Sequence, residues 1–135
     1  MRCSHCGKCC EETEMLLSEA DARRLEQNGY RRGYFTSVDR QGFCRLKNSN
    51  GYCVFYDRAK QRCKVYTYRP QGCRVYPVIY SQEDGVIVDD LCPMKDSVSR
   101  VELRQKGKRV LRLLERIDEE AQKRVFHMNA SNSLK

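Results

Sequence analysis

Nine cysteines in a chain of 135 residues are the part of this sequence best equipped for chemistry. Four open it as Cys3-Ser4-His5-Cys6-Gly7-Lys8-Cys9-Cys10, a C-x-x-C-x-x-C-C run. Two residues between ligands let a tight loop aim both sulfurs at one centre, an arrangement zinc knuckles and iron–sulfur loops share. Three cysteines at successive two-residue gaps fit an iron–sulfur loop better, because one turn then supplies three ligands and a remote residue the fourth. Gly7 permits the positive φ such a loop needs. Neighbouring side chains of extended backbone face opposite ways, so Cys3, Cys6 and Cys9 are assigned to one centre and Cys10 to a second. Remote ligands are then drawn from Cys44, Cys53, Cys63, Cys73 and Cys92. Two four-thiolate centres use all but one of the nine, and spacing does not say which is spare.

The cofactor these ligands predict is one or two iron–sulfur clusters, with the four-thiolate 4Fe-4S type among them; zinc is the alternative. A zinc ribbon wants two C-x-x-C knuckles, and the second half of the chain has none. The C-x-x-x-C-x-x-C order of radical S-adenosylmethionine chemistry is also absent. A disulfide framework is a third reading. Against it stand the odd cysteine count and an opening Met1-Arg2-Cys3-Ser4-His5-Cys6 without an apolar leader, which makes the cytoplasm the expected compartment.

Around the cysteines, Arg69 and Arg74 flank Cys73 and either compensate the charge of a thiolate-bound centre, capture an anionic partner, or bond loop carbonyls. His5 is read as a solvent-facing loop residue rather than a ligand, and His127 as the end of a fraying helix. Tyr52, Tyr56, Tyr66, Tyr68, Tyr76 and Tyr80 interleave with Arg58, Arg62, Arg69 and Arg74. Such interleaving serves single-stranded nucleic acid in some proteins, but tyrosines packed over a small core are the favoured reading. No paired carboxylates and no phosphate-cradling glycine loop are evident, so no catalytic constellation is assigned.

These residues must be positioned by a lean core. Leu, Ile, Val and Phe make up only about a fifth of the chain, near the lower edge for an unaided domain, so bound metal is expected to help hold it together. The predicted architecture is α+β: a small cysteine-rich, metal-stabilised domain over 1–96, with short strands and one short N-terminal helix. A long amphipathic basic helix over 97–128 packs on it, and 129–135 form a disordered tail. Ser18 and Asp21 resemble a capping box, and Gly29 suits a left-handed stop, which gives a helix near 19–28. Short strands are expected around 53–56, 63–66, 75–80 and 85–88, the last two joined by a turn over 82–85. Cys44, Cys53, Cys63 and Cys73 recur 9, 10 and 10 residues apart, each followed two places on by an apolar residue on its own strand face. From Ser97, Val98, Val101, Val110, Leu111, Leu114, Ile117, Ala121 and Val125 recur at mostly helical spacing, with an interruption expected at Gly107. The formal charge of +8 falls to about +4 once two four-thiolate dication sites are counted. No run of apolar residues is long enough to span a membrane.

Several of these pieces resemble the YkgJ-type cysteine-cluster family, also called the CxxCxxCC or zinc- or iron-chelating domain. They are the opening cysteine run, the Leu17-Ser18 helix start, Cys53-Val54-Phe55-Tyr56, the long stretch from Cys63-Lys64-Val65-Tyr66 through Arg69-Pro70-Gln71-Gly72-Cys73 to Pro77, and Asp90-Leu91-Cys92-Pro93. The resemblance covers roughly 3–93. It implies metal chelation, often through an iron–sulfur oxidoreductase component. A similar arrangement occurs in the much longer flagellin lysine N-methylases, whose methyl transfer is not carried over to so short a chain. The function expected is metal binding in electron transfer, redox sensing or the maturation of another enzyme, with a protein partner. The alternative is a zinc-stabilised module that binds protein or nucleic acid, nucleic acid being the less favoured.

Overall fold

In the computed structural model, residues 10–133 are described, with side chains through residue 129. The first helix, α1 (Glu19–Gln27), starts where local chemistry says it must: the Ser18 hydroxyl accepts the Asp21 N–H and the Asp21 carboxylate accepts the Ser18 N–H. It stops at Asn28, followed by Gly29 at φ +98°. A single turn, α2 (Arg32–Phe35), then leads into a run of hairpins.

Four two-stranded antiparallel sheets make up the β structure. They pair β1 (Thr36–Val38) with β2 (Cys44–Leu46), β3 (Asn48–Ser49) with β4 (Tyr52–Cys53), β5 (Tyr56–Asp57) with β6 (Arg62–Cys63), and β7 (Val78–Ser81) with β8 (Gly85–Val88). The first three hairpins each carry a cysteine on their second strand. The expected hairpin around 82–85 is present, closing at Ser81 opposite Gly85. The stretch expected as strand over 63–66 keeps only Cys63 in a strand and turns into a 3₁₀ segment at Tyr66–Tyr68. The start of the strand expected at 75–80 is instead helical, as α3 (Gln71–Val75), and the chain becomes extended only from Val78.

The long helix α4 (Arg100–Ser133) begins three residues later than expected, because the Ser99 hydroxyl accepts the Glu102 N–H at 3.0 Å and caps it there. It runs through Gly107 without a break and continues into residues placed in the expected tail. No Gly or Pro follows Gly107 to stop it. Gly107, Val110, Leu113, Ile117 and Ala121 form its buried stripe, while Val101 and Leu111, expected on the apolar face, point to solvent.

Two cores result. The larger joins Leu17, Leu25, Phe35, Leu46, Phe55 and Val65 with Cys44 and Cys53. The smaller joins Val75 and Val78 with Val110 of α4. Gly107 lets α4 approach β8, since a Cβ there would lie 2.9 Å from Val86 Cγ1. Further along, Gly42, at φ +86°, packs on the α4 backbone, where a Cβ would overlap the Ala121 carbonyl. Polar latches hold the same junction. Glu120 accepts the Glu19 N–H at 2.9 Å, and Arg124 donates to the Gly42 carbonyl at 2.8 Å and to Glu19 at 2.7 Å.

Candidate metal centre

Segment 10–17 places the first cysteine that the structure describes. It runs antiparallel beside two hairpins, with Glu11 bridged to Tyr52 and Leu16 to Arg45. The Glu12 N–H donates to the Gly51 carbonyl at 2.7 Å, and Leu17 N–H to the Cys44 carbonyl at 2.8 Å. Thr13 and Asn48 exchange two hydrogen bonds, both at 2.9 Å, that fix the segment lengthwise. Carrying the Glu11–Tyr52 register back one residue sets Cys10 level with Cys53, and opposed residues of an antiparallel pair project to the same face.

Cys10, Cys44, Cys53, Cys63 and Cys73 all pack in or against the larger core, although they come from five separate stretches of chain. Cys44 and Cys53 are buried within it; Cys10, Cys63 and Cys73 lie half-buried on its edge. Cys92 is buried too, but belongs to neither core and sits in the turn after β8. Cys3, Cys6, Cys9 and His5 lie outside the described residues. Among the described residues, no three His, Cys, Asp or Glu side chains converge into a metal-holding group.

Burial lifts the Cys44 thiol above its ordinary pKa and outweighs the pull of the Arg124 guanidinium toward the thiolate. Cys53, buried in the same core, and Cys63 and Cys73, half-buried against it, are soft thiol donors of the kind suited to zinc or iron.

Cys73 is aimed by a network that the sequence did not reveal. Asp21, fully buried in α1, accepts the Gln71 N–H at 3.1 Å and the Arg24 guanidinium at 2.8 Å. Arg24 also donates to the carbonyls of Tyr68 and Arg69. One carboxylate and one guanidinium therefore tie α1 to the loop that enters α3. Ser18 and Asp21 were legible as a cap, but nothing in the sequence signalled a second duty fifty residues away.

Arg69 and Arg74 bond the same loop. Arg69 donates to the Tyr66 carbonyl at 2.7 Å and lies over the Tyr66 ring, 4.1 Å from its centroid. Arg74 donates to the carbonyls of Arg69 and Thr67. The tyrosines pack as expected: Tyr52 stacks on Tyr56 with centroids 5.2 Å apart, and the Tyr76 hydroxyl donates to Asp89 at 2.7 Å. An apolar cleft of about 540 Å³ opens between segment 11–16, α3 and α4, and among the described residues no cysteine lines it.

A small α+β domain whose hairpins deliver cysteine after cysteine to one core is built as a metal-chelating cysteine domain. The chain belongs to the CxxCxxCC family, described as "Putative zinc- or iron-chelating domain", which it matches over residues 2–93. That membership supports metal binding and accounts for the resemblance read from the cysteine spacing. MJ0661, an uncharacterized protein of Methanocaldococcus jannaschii, is 29% identical over 90 residues, 62% of this chain and 47% of its own length. The chain thus spans about half the length of that relative. No solved structure matches the chain. Among the described residues no helix is long and apolar enough to cross a membrane.

Proposed function

We propose that the chain carries an iron–sulfur centre and passes electrons to, or senses redox state for, a protein partner. The observation behind this reading is that Cys53 in the larger core and Cys10, Cys63 and Cys73 packed against it come to one core from four different segments. No three of the described side chains suffice for a site, so the centre draws on the N-terminal Cys3, Cys6 and Cys9 together with these remote thiols. Cys92 is the next ligand in order, and Cys44 is the spare. When bound, an iron–sulfur cluster supplies one-electron transfer at a potential tuned by charge, hydrogen bonds and exposure. The chain's own part is to keep the thiols half-buried and to hold the Cys73 loop through Asp21 and Arg24. Arg69 and Arg74 add positive charge beside a centre whose thiolates bring net negative charge.

Anaerobic purification tests the reading. Iron and acid-labile sulfide in matched amounts, with visible charge-transfer absorption that bleaches on reduction, are the expected result. A colourless protein with stoichiometric zinc and no sulfide refutes the iron–sulfur assignment and leaves a closed structural zinc site.

A further inference from the structure

Four arginines converge on one cleft at the junction of α3 and α4. Arg74 comes from α3; Arg109, Arg112 and Arg116 come from α4, three and four residues apart and so on a single helix face. The cleft measures about 390 Å³, and among the described residues no carboxylate lines it. None of the four cleft arginines has an ion pair among the described residues. All four are solvent-exposed, so water screens most of their mutual repulsion while their positive potential still adds at the cleft. Their convergence is therefore informative, since an anion seated among them meets that summed potential.

We propose that this cleft binds a ligand bearing two adjacent phosphates, either inorganic or as the tail of a nucleotide. The residue type supports it: guanidinium forks match phosphate oxygens two at a time, which lysine ammonium groups do not. Arg74 is already oriented by its bonds to the Arg69 and Thr67 carbonyls, so little of its freedom is lost on binding. The volume lies at the small end of ligand pockets, enough for a diphosphate and part of what it carries. A floor of Val75 and Leu113 closes the cleft beneath, which favours a compact ligand over a strand of nucleic acid that tracks along a groove. The cleft shares Arg74 with the loop that carries Cys73, but its other three arginines belong to α4, so the proposal does not depend on which metal the cysteine centre holds.

The test is calorimetric titration of the full, metal-loaded chain with pyrophosphate in about 0.1 M salt, with metal content measured before and after. One equivalent is expected to bind without loss of metal, with ADP competing and AMP at least tenfold weaker. Arg112→Gln and Arg116→Gln are each expected to weaken binding about tenfold or more. Arg104→Gln removes the same charge from an exposed position of α4 outside the cleft and should leave affinity unchanged. Pyrophosphate should also raise the melting temperature of the parent but not of Arg112→Gln, a readout valid provided the variant folds with its metal. No binding, equal weakening by Arg104→Gln, or AMP as tight as pyrophosphate would overturn the proposal. So would single-stranded RNA that binds and is not displaced by millimolar pyrophosphate.

Discussion

Replacing Asp21 with Ala tests whether α1 really holds the loop that carries Cys73. The carboxylate is 0% exposed and accepts from three donors: the Ser18 N–H at 3.3 Å, the Gln71 N–H at 3.1 Å and the Arg24 guanidinium at 2.8 Å. A hydrogen bond to a charged group contributes about 1.5–3 kcal/mol, and breaking a fully buried ion pair costs about 3–5 kcal/mol. Arg24 is 29% exposed and can recover water, which moves the cost to the lower end, about 3 kcal/mol. In a domain this size that corresponds to a melting temperature lower by about 10 °C. Asp21→Asn keeps one acceptor and should lose roughly half as much. The second assay follows the site: with Gln71 released, a chelator should strip metal from Asp21→Ala faster than from the parent under conditions where both remain folded. An unchanged melting temperature would refute the burial argument. A lower melting temperature with unchanged metal release would confine Asp21 to its helix and refute its hold on the cysteine loop.

Three further outcomes are expected. Gly42→Ala combines an unfavourable left-handed backbone with overlap of the Ala121 carbonyl, so it should cost about 2 kcal/mol or more; hydrogen exchange should show the C-terminal half of α4 loosening first. Cys44, 4% exposed and with its thiol pKa raised, should be the last described cysteine alkylated in metal-free protein at mildly alkaline pH, and Cys44→Ala should retain the parent's metal stoichiometry; loss of one metal equivalent would make it a ligand. Burial works to raise the pKa of Glu19, but the hydrogen bonds from Arg124 and Arg32 win and hold it below the ordinary glutamate value. Its ion pairs therefore stabilise the fold above the unfolded pKa of about 4.3, and that contribution is lost as pH falls through the lower folded value. The melting-temperature gap between parent and Glu19→Gln should close on acidification from pH 7, and a constant gap would refute the linkage.

Much of the fold was legible where the deciding interactions are local. The Ser18–Asp21 cap, the turn after Ser81 and the apolar period of α4 each depend on residues within a few positions of one another. The cysteine echo was informative as well. Leu46, Phe55, Val65 and Val75, each two places beyond a cysteine, are all buried, but only Cys44 and Leu46 share a strand: Phe55 and Val65 lie in turns, and Cys73 and Val75 on a helix. That helix was illegible because Gln71-Gly72-Cys73-Arg74-Val75 has little intrinsic helical preference. Pro70 sets its start, and the distant Asp21 carboxylate accepts its first N–H. Leu111 was taken for a core residue because it keeps helical spacing with Leu114, yet β7, β8 and α3 approach α4 from the side of Val110 and Leu113.

The division into two cores explains why a chain poor in large apolar residues carries so long a helix. The larger core has room at its edge for Cys10, Cys63 and Cys73 because its three hairpins, of two or three residues per strand, are too short to cover it. Short hairpins are marginal alone, so that core relies on segment 10–17 to lace β2 to β4 and on whatever the thiols grip. The smaller core contains no cysteine and rests on α4 against β7–β8. The Gly42 contact and the Glu19–Arg124 pair then join helix and hairpins beside Cys44. In this arrangement α4 buttresses the cysteine core through Gly42 and Glu19, and Cys10, Cys63 and Cys73 stay half-buried at the edge of that core.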